Sequence, residues 1–216
     1  KDNEIVEIGP GNGQLTDEIL LQKPKKIILI EKDYELFKFL KQKYLKQRKK
    51  INIINNDILN YNFNKKNNLI IISNLPYNLS VKIIIYLLIN FSNINKMLFT
   101  VQKEVGKKLD YKNSKKNKYN FFIESVSEFK ILFNITNKVF YPKPRVFSSL
   151  VLLSPKKIKL NKEKLLLFSK KIFSKKRKKI SNIIKFKNLD NDSKKLIKKR
   201  AEDLSAKDLM KLFKYF

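Results

Sequence analysis

An α/β fold with a mostly parallel sheet, followed by a small C-terminal all-helical domain, is the architecture this 216-residue sequence predicts. Three observations predict it. Short apolar runs alternate with segments of helical periodicity as far as residue 101. A glycine-rich stretch, Gly9-Pro10-Gly11-Asn12-Gly13, joins the first apolar run to the first helical one. After Pro155 the strand-like pattern stops and only helical patterns follow.

The elements read in order. Residues 5–8 form a first strand ending at Gly9, and 16–22 the helix after it. Residues 26–30 are a second strand with Glu31 at its end. Leu36, Phe37, Leu40, Tyr44 and Leu45 recur at helical spacing across 34–45. Residues 51–54 are a third strand, closed by Asn55-Asn56-Asp57, and 69–72 a fourth. A buried helix over 81–91 and a fifth strand over 97–101 complete the alternation, which implies a sheet covered on both faces. A charged loop over 112–118 precedes a helix over 121–129. Residues 130–140 and 149–153 read as two β runs joined by Tyr141-Pro142-Lys143-Pro144-Arg145, an antiparallel pair at one sheet edge. Helices are expected over 163–173, 177–184, 193–200 and 205–216, giving a core domain of residues 1–155 and a helical domain of 156–216.

Composition narrows the chemistry. A hydrophobic content of 43% supports a packed core. The absence of Cys excludes disulfides, thiolate nucleophiles and Cys-ligated zinc, and fits a reducing, cytoplasmic setting. The absence of His removes the commonest general base and metal ligand, so no metal site is expected. No run of about 18 apolar residues exists to span a membrane. Lys and Arg number 49 against 19 acidic residues, a net charge of +30, which predicts a polyanionic partner, RNA or DNA. The abundance of Lys, Asn and Ile also fits an AT-rich coding bias. Residues 156–216 hold 22 basic and 6 acidic residues, marking the helical domain as a docking element.

Asn74-Leu75-Pro76-Tyr77 directly follows the fourth strand, at the strand end where open α/β sheets place their ligands. Asn offers an acceptor and a donor, Pro stiffens the turn, and Tyr offers a flat face. Such a set suits a flat base with an exocyclic amine, such as adenine. The glycine turn serves many nucleotide ligands. Its spacing is G-x-G-x-G, and the helix behind it opens with Thr16-Asp17-Glu18, whose carboxylates would repel a pyrophosphate. A phosphate-free ligand such as S-adenosylmethionine fits better. Glu31 is placed to accept from ribose hydroxyls and Asp57 from an adenine amine. Gly9, Glu31, Asp57 and Asn74 end four successive strands, and a parallel sheet brings such ends to one rim.

These residues resemble a known family. EIGPGNGQLT (7–16), IEKD (30–33), NDIL (56–59), NLPYNLS (74–80), VQKEVGKKL (101–109), FYPKPRVFSSLVLL (140–153), FSKKRKKISN (173–182) and RAEDLS (200–205) together resemble the ribosomal RNA adenine N6,N6-dimethyltransferases. The resemblance implies a class I S-adenosylmethionine-dependent methyltransferase with a Rossmann-like, seven-stranded sheet. It implies action on two adjacent adenines near the 3′ end of small-subunit rRNA, within immature small ribosomal subunits, by a monomer. It assigns Gly9, Gly11, Glu31, Asp57 and Asn74 to the cofactor, and Asn74, Leu75, Pro76, Tyr77 and the aromatic Phe140 to the target adenine. Large-subunit rRNA methyltransferases, DNA adenine methyltransferases and a non-catalytic ribosome-assembly factor are the competing readings. The last two motifs favour the small-subunit enzymes. Family members carry a Q-x-F-L-type segment before the first strand, which a fuller chain is expected to have. Asn120 stands where the family usually has Gly.

Overall fold

The computed structural model describes residues 4–63, 68–139 and 146–216. Seven strands form one sheet: β1 (Glu4–Ile8), β2 (Lys26–Glu31), β3 (Ile51–Asn55), β4 (Leu69–Asn74), β5 (Ile94–Gln102), β6 (Ser127–Ile135) and β7 (Ser148–Pro155). Their spatial order is β3-β2-β1-β4-β5-β7-β6. β1 to β5 pair in parallel, and β7 pairs antiparallel to β5. The two late β runs are therefore neighbours, with β6 at the sheet edge.

The strands are rich in Ile, Leu and Val because branched side chains suit a pleated surface buried on both sides. β2 shows this directly. Ile27 and Leu29 on one face are both fully buried, as Ile30 on the other is at 1% exposure. On the first face, Ile27 and Leu29 pack with Ile19 of α1 (Gln14–Leu21), Leu40 of α2 (Tyr34–Lys43), and Tyr44. Asp33 caps α2 by accepting from the backbone N–H groups of Glu35 and Leu36, each at 2.9 Å. α3 (Ser80–Asn90) is apolar nearly all round and accordingly buries Ile83, Ile84, Ile85, Leu87 and Leu88.

The chain divides into two compact units. The first comprises Lys1–Gly106 and Lys130–Pro155 and contains the sheet; the second comprises Lys107–Phe129 and Lys156–Phe216. Within the second, α5 (Lys118–Val126) packs against α6 (Lys162–Ile172), with α7 (Asn191–Leu196) and α8 (Ala206–Phe213) completing the unit. Phe168 anchors it, its ring 6.1 Å from Phe121 and 5.2 Å from Phe216. The short helix α4 (Lys103–Leu109) runs from the first unit into the second.

Asn120 is fully buried and organises the segment before it. Its carbonyl oxygen accepts from Asn117 N–H at 2.8 Å, and its amide donates to Ser114 Oγ and to the Lys115 carbonyl, each at 3.1 Å. A Gly here would lose all of these bonds, so this chain holds the loop with a side chain.

Two expectations need correction. The helix read over 121–129 ends at Val126, and Ser127 already begins β6. The helix read over 177–184 is absent. Five consecutive cations, Lys175 to Lys179, repel one another on a helix, and Arg177 takes a left-handed φ of 65°. The segment instead forms a β-bridge between Lys179 and Arg200, and only one 3₁₀ turn, Ile180–Asn182.

Candidate active site

Strand register assembles the site. Glu7 of β1 lies beside Leu29 of β2 and Ile72 of β4, and Ile8 lies beside Ile30. One residue further, Gly9, Glu31 and the end of β4 meet at the same rim. Ser73 Oγ donates to the Ile8 carbonyl, tying the end of β4 to the start of the glycine turn. On the other side, Asn56 N–H donates to the Glu31 carbonyl at 3.0 Å, and the Asn55 amide does so at 2.9 Å. Asp57 follows directly. The structure thus brings Gly9, Gly11, Glu31, Asp57 and Asn74 to one edge of the first unit, with Leu75, Pro76 and Tyr77 continuing from Asn74. Phe140 lies outside the described residues.

The glycine turn is open on its outer side, and its amides are turned inward. Gly9 and Gly11 take φ values of 63° and 57°, and an added Cβ at either would meet nothing within 4 Å. The turn therefore borders open space. Its amides are used internally: Gly9 N–H donates to the Ile30 carbonyl at 2.9 Å, Gly11 N–H to Glu31 Oε2 at 3.3 Å, and Gly13 N–H to the Pro10 carbonyl at 2.9 Å. A phosphate cradle needs such groups aimed outward.

Glu31 is 6% exposed, and its other oxygen accepts from Asp33 N–H at 2.9 Å. Each carboxylate oxygen keeps a lone pair for a sugar hydroxyl. Asp57 pairs with Lys32 at 2.9 Å and accepts from Leu59 N–H at 3.0 Å. Lys32 first, then the Leu59 amide, hold its carboxyl below the usual range. The donor set, with open backbone, a buried acid and a second acid, fits an adenosine-like cofactor such as S-adenosylmethionine.

The Asn74–Tyr77 loop is held from beneath. Leu75 as a whole residue is 2% exposed, while Asn74 is exposed. Leu79 N–H donates to the Pro76 carbonyl at 3.0 Å, and Ser80 Oγ to the Tyr77 carbonyl at 3.2 Å. The Tyr77 hydroxyl lies 2.7 Å from Ser148 Oγ. Neither the Asn74 side-chain amide nor the Leu75 carbonyl has a hydrogen-bond partner among the described residues.

Sequence reasoning missed the support. Glu7 is 2% exposed, and Thr16 Oγ1 donates to it at 2.6 Å. Burial pushes its carboxyl up to about 7, against the lowering effect of the Thr16 bond. An acid inside an otherwise apolar run was the available signal. Lys43 donates to the Asn12 carbonyl at 2.9 Å and pairs with Asp17 at 2.7 Å, strapping the turn to α2. No local pattern marks that contact, which spans 31 residues.

A second feature lies within the second unit. A cavity of about 530 Å³ is lined by ten Lys or Arg side chains, among them Lys170, Lys175, Arg177 and Arg200, against the single acid Glu202. Among the described residues no cluster of His, Cys, Asp and Glu is suited to a metal ion, and no helix is long and apolar enough to cross a membrane.

Comparison with known proteins accords with this geometry. Residues 1–216 match the ribosomal RNA adenine dimethylase family. The ribosomal RNA small subunit methyltransferase A of Malacoplasma penetrans is 40% identical over 191 residues, covering 85% of this chain and 68% of the relative. The protein of the same name from a Hydrogenobaculum species is 34% identical over 216 residues, covering 99% and 82%. In structure, the chain resembles a dimethyladenosine transferase from Plasmodium falciparum with a TM-score of 0.81, at 23% identity and covering 97% and 88% of the two chains. It resembles the 23S rRNA methyltransferase ErmE with a TM-score of 0.72, at 18% identity and covering 99% and 91%. The fold is that of the class I methyltransferases.

Proposed function

Because the chain belongs to the ribosomal RNA adenine dimethylase family, we propose that it transfers methyl groups to N6 of two adjacent adenines near the 3′ end of small-subunit rRNA. The product is N6,N6-dimethyladenosine. The small-subunit substrate follows the names of the relatives at 34–40% identity. The observation that carries the reading is the rim itself: a phosphate-averse glycine turn with a buried acid, one strand away from an exposed Asn on a Pro-stiffened loop.

S-Adenosylmethionine, when bound, supplies an electrophilic methyl group on a sulfonium. Glu31 and Asp57 would hold its adenosine part, and Gly9 and Gly11 would leave room for the remainder. The amine lone pair of adenine is delocalised into the ring, so N6 is a weak nucleophile. The Asn74 side-chain carbonyl and the Leu75 carbonyl would accept its two hydrogens, weaken the conjugation of the lone pair with the ring and direct it toward the methyl group. Tyr77 would stack on the base, joined by Phe140 as the resemblance implies. Positioning of this kind lowers a barrier by several kcal/mol, up to about 7–11 in the best cases. No strong base is needed before attack, because N6 becomes acidic as it is alkylated, which suits a chain with no His.

The basic cavity of the second unit supports docking to RNA phosphates within immature small subunits. The test is incubation of labelled S-adenosylmethionine with unmodified small subunits and, in parallel, with large subunits, followed by nucleoside analysis. N6,N6-Dimethyladenosine in small-subunit RNA is the expected result. Label confined to large-subunit RNA, or no transfer despite subunit binding, would overturn the proposal.

A further inference from the structure

We infer that Ser148 is a positioning residue for the second of the two methyl transfers, acting through Tyr77. The inference rests on the reading that Tyr77 stacks on the target adenine.

Ser148 is the first residue of β7, fully buried, and in register with Gln102 of β5. The residue before it is also fixed, because Lys103 N–H donates to the Phe147 carbonyl at 2.9 Å. The serine hydroxyl is therefore a rigid post. Tyr77 comes from the loop after β4, and its ring reaches past the end of β5 to place its hydroxyl 2.7 Å from Ser148 Oγ. The ring is only partly buried, so packing alone does not set its orientation. The hydrogen bond at its far end does.

The chemistry of the second transfer raises the importance of that ring. Unmodified adenine carries two N6 hydrogens, one for each of the two acceptors, the Asn74 side chain and the Leu75 carbonyl. Each transfer forms an N6–carbon bond as a sulfur–carbon bond breaks, the bonding pair stays on sulfur, and one N6 proton leaves to solvent. N6-Methyladenine thus returns with one hydrogen, and one of the two acceptors has nothing to bind. The base plane then depends on stacking more than it did in the first step. A loose Tyr77 ring hurts the second step selectively.

The experiment uses the full chain bearing Ser148→Ala, with unmodified small subunits in single turnover, reading the ratio of N6-methyladenosine to N6,N6-dimethyladenosine. Loss of one hydrogen bond predicts an increase of about five-fold in that ratio, with the first transfer slowed far less. Tyr77→Phe removes the same bond from the other side and should give the same ratio. The double variant should be no worse than either single one. A second readout needs no methyl transfer: 2-aminopurine placed at the target adenine should be quenched by the parent and less so by Ser148→Ala. Equal slowing of both transfers, or an unchanged ratio with unchanged quenching, overturns the role of Ser148. If Tyr77→Ala leaves both transfers and the quenching intact, it is the underlying reading of Tyr77 that fails.

Discussion

The Tyr44 hydroxyl sits 2.8 Å from the Gly13 carbonyl, closing the helix-side end of the glycine turn with a residue 31 positions away. Gly13 takes a φ of 83°, and an added Cβ would strike that hydroxyl and lie 3.1 Å from the ring carbon bearing it. Gly13→Ala should therefore cost about 2 kcal/mol or more in a denaturant titration, from backbone strain and collision together. Tyr44→Phe should cost about 1 kcal/mol, with weaker cofactor binding in equilibrium dialysis.

Gly9 and Gly11 should behave differently. Their added Cβ atoms meet no protein atom within 4 Å, so substitution costs only the strain of positive φ, about 1 kcal/mol. The methyl group would occupy the space proposed for the cofactor. Gly11→Ala is expected to lower cofactor affinity at least ten-fold while the midpoint of thermal unfolding moves by a few degrees. A retained affinity would remove the turn from the cofactor site.

Glu7 should set a pH dependence of stability. Its carboxyl titrates at about 7 in the fold against an ordinary value of 4.5. Between those values the folded chain binds more protons than the unfolded one, so stability falls as pH rises through this window and levels off above it. The full change is on the order of 3 kcal/mol for an isolated group. Glu7→Gln should flatten that slope in denaturant titrations from pH 4.5 to pH 8; an unchanged slope would point to other groups.

Glu31 and Asn74 should separate binding from turnover. Glu31→Ala removes a buried acceptor that also holds the Gly11 and Asp33 amides, so cofactor affinity should fall at least ten-fold. Asn74→Ala removes an exposed side chain with no protein partner among the described residues. It should cut single-turnover rate by about a hundred-fold or more while cofactor affinity stays within about two-fold. Equal loss of both properties in Asn74→Ala would contradict its proposed role.

Replacing Lys175, Lys176 and Lys178 by Ala should weaken binding to small-subunit RNA and reduce the salt dependence. Each lost phosphate contact lowers the log–log slope by about 0.7–0.9. Cofactor affinity is expected to stay unchanged. A flat salt response in the parent chain would assign the net charge of +30 to coding bias rather than to docking.

Much of the rim was legible because a parallel sheet places the C-terminal ends of its strands along one edge, whatever their spatial order. Residues that end successive apolar runs, namely Gly9, Glu31, Asp57 and Asn74, meet at one rim whatever the connecting helices look like. Composition and motif resemblance pointed to the chemistry, since a glycine turn, two acids and an Asn-Leu-Pro-Tyr loop act through backbone and amide groups. Local pattern failed where like charges and long-range bonds compete with helix formation. Residues 177–184 read as a helix, yet Lys179 bridges to Arg200.

Only the tertiary structure decided which side chains hold the site in shape. Tyr44 and Lys43 reach the glycine turn across 31 residues, and Tyr77 meets Ser148 across 71. Asn120 forms a buried hub of hydrogen bonds. Such contacts leave no periodic trace, because a hydrogen bond needs only two atoms about 3 Å apart and places no constraint on the residues between them. By itself the sequence determined which runs become strands, the residue types at their ends and the charge. Packing in three dimensions determined the rigidity with which those ends are presented.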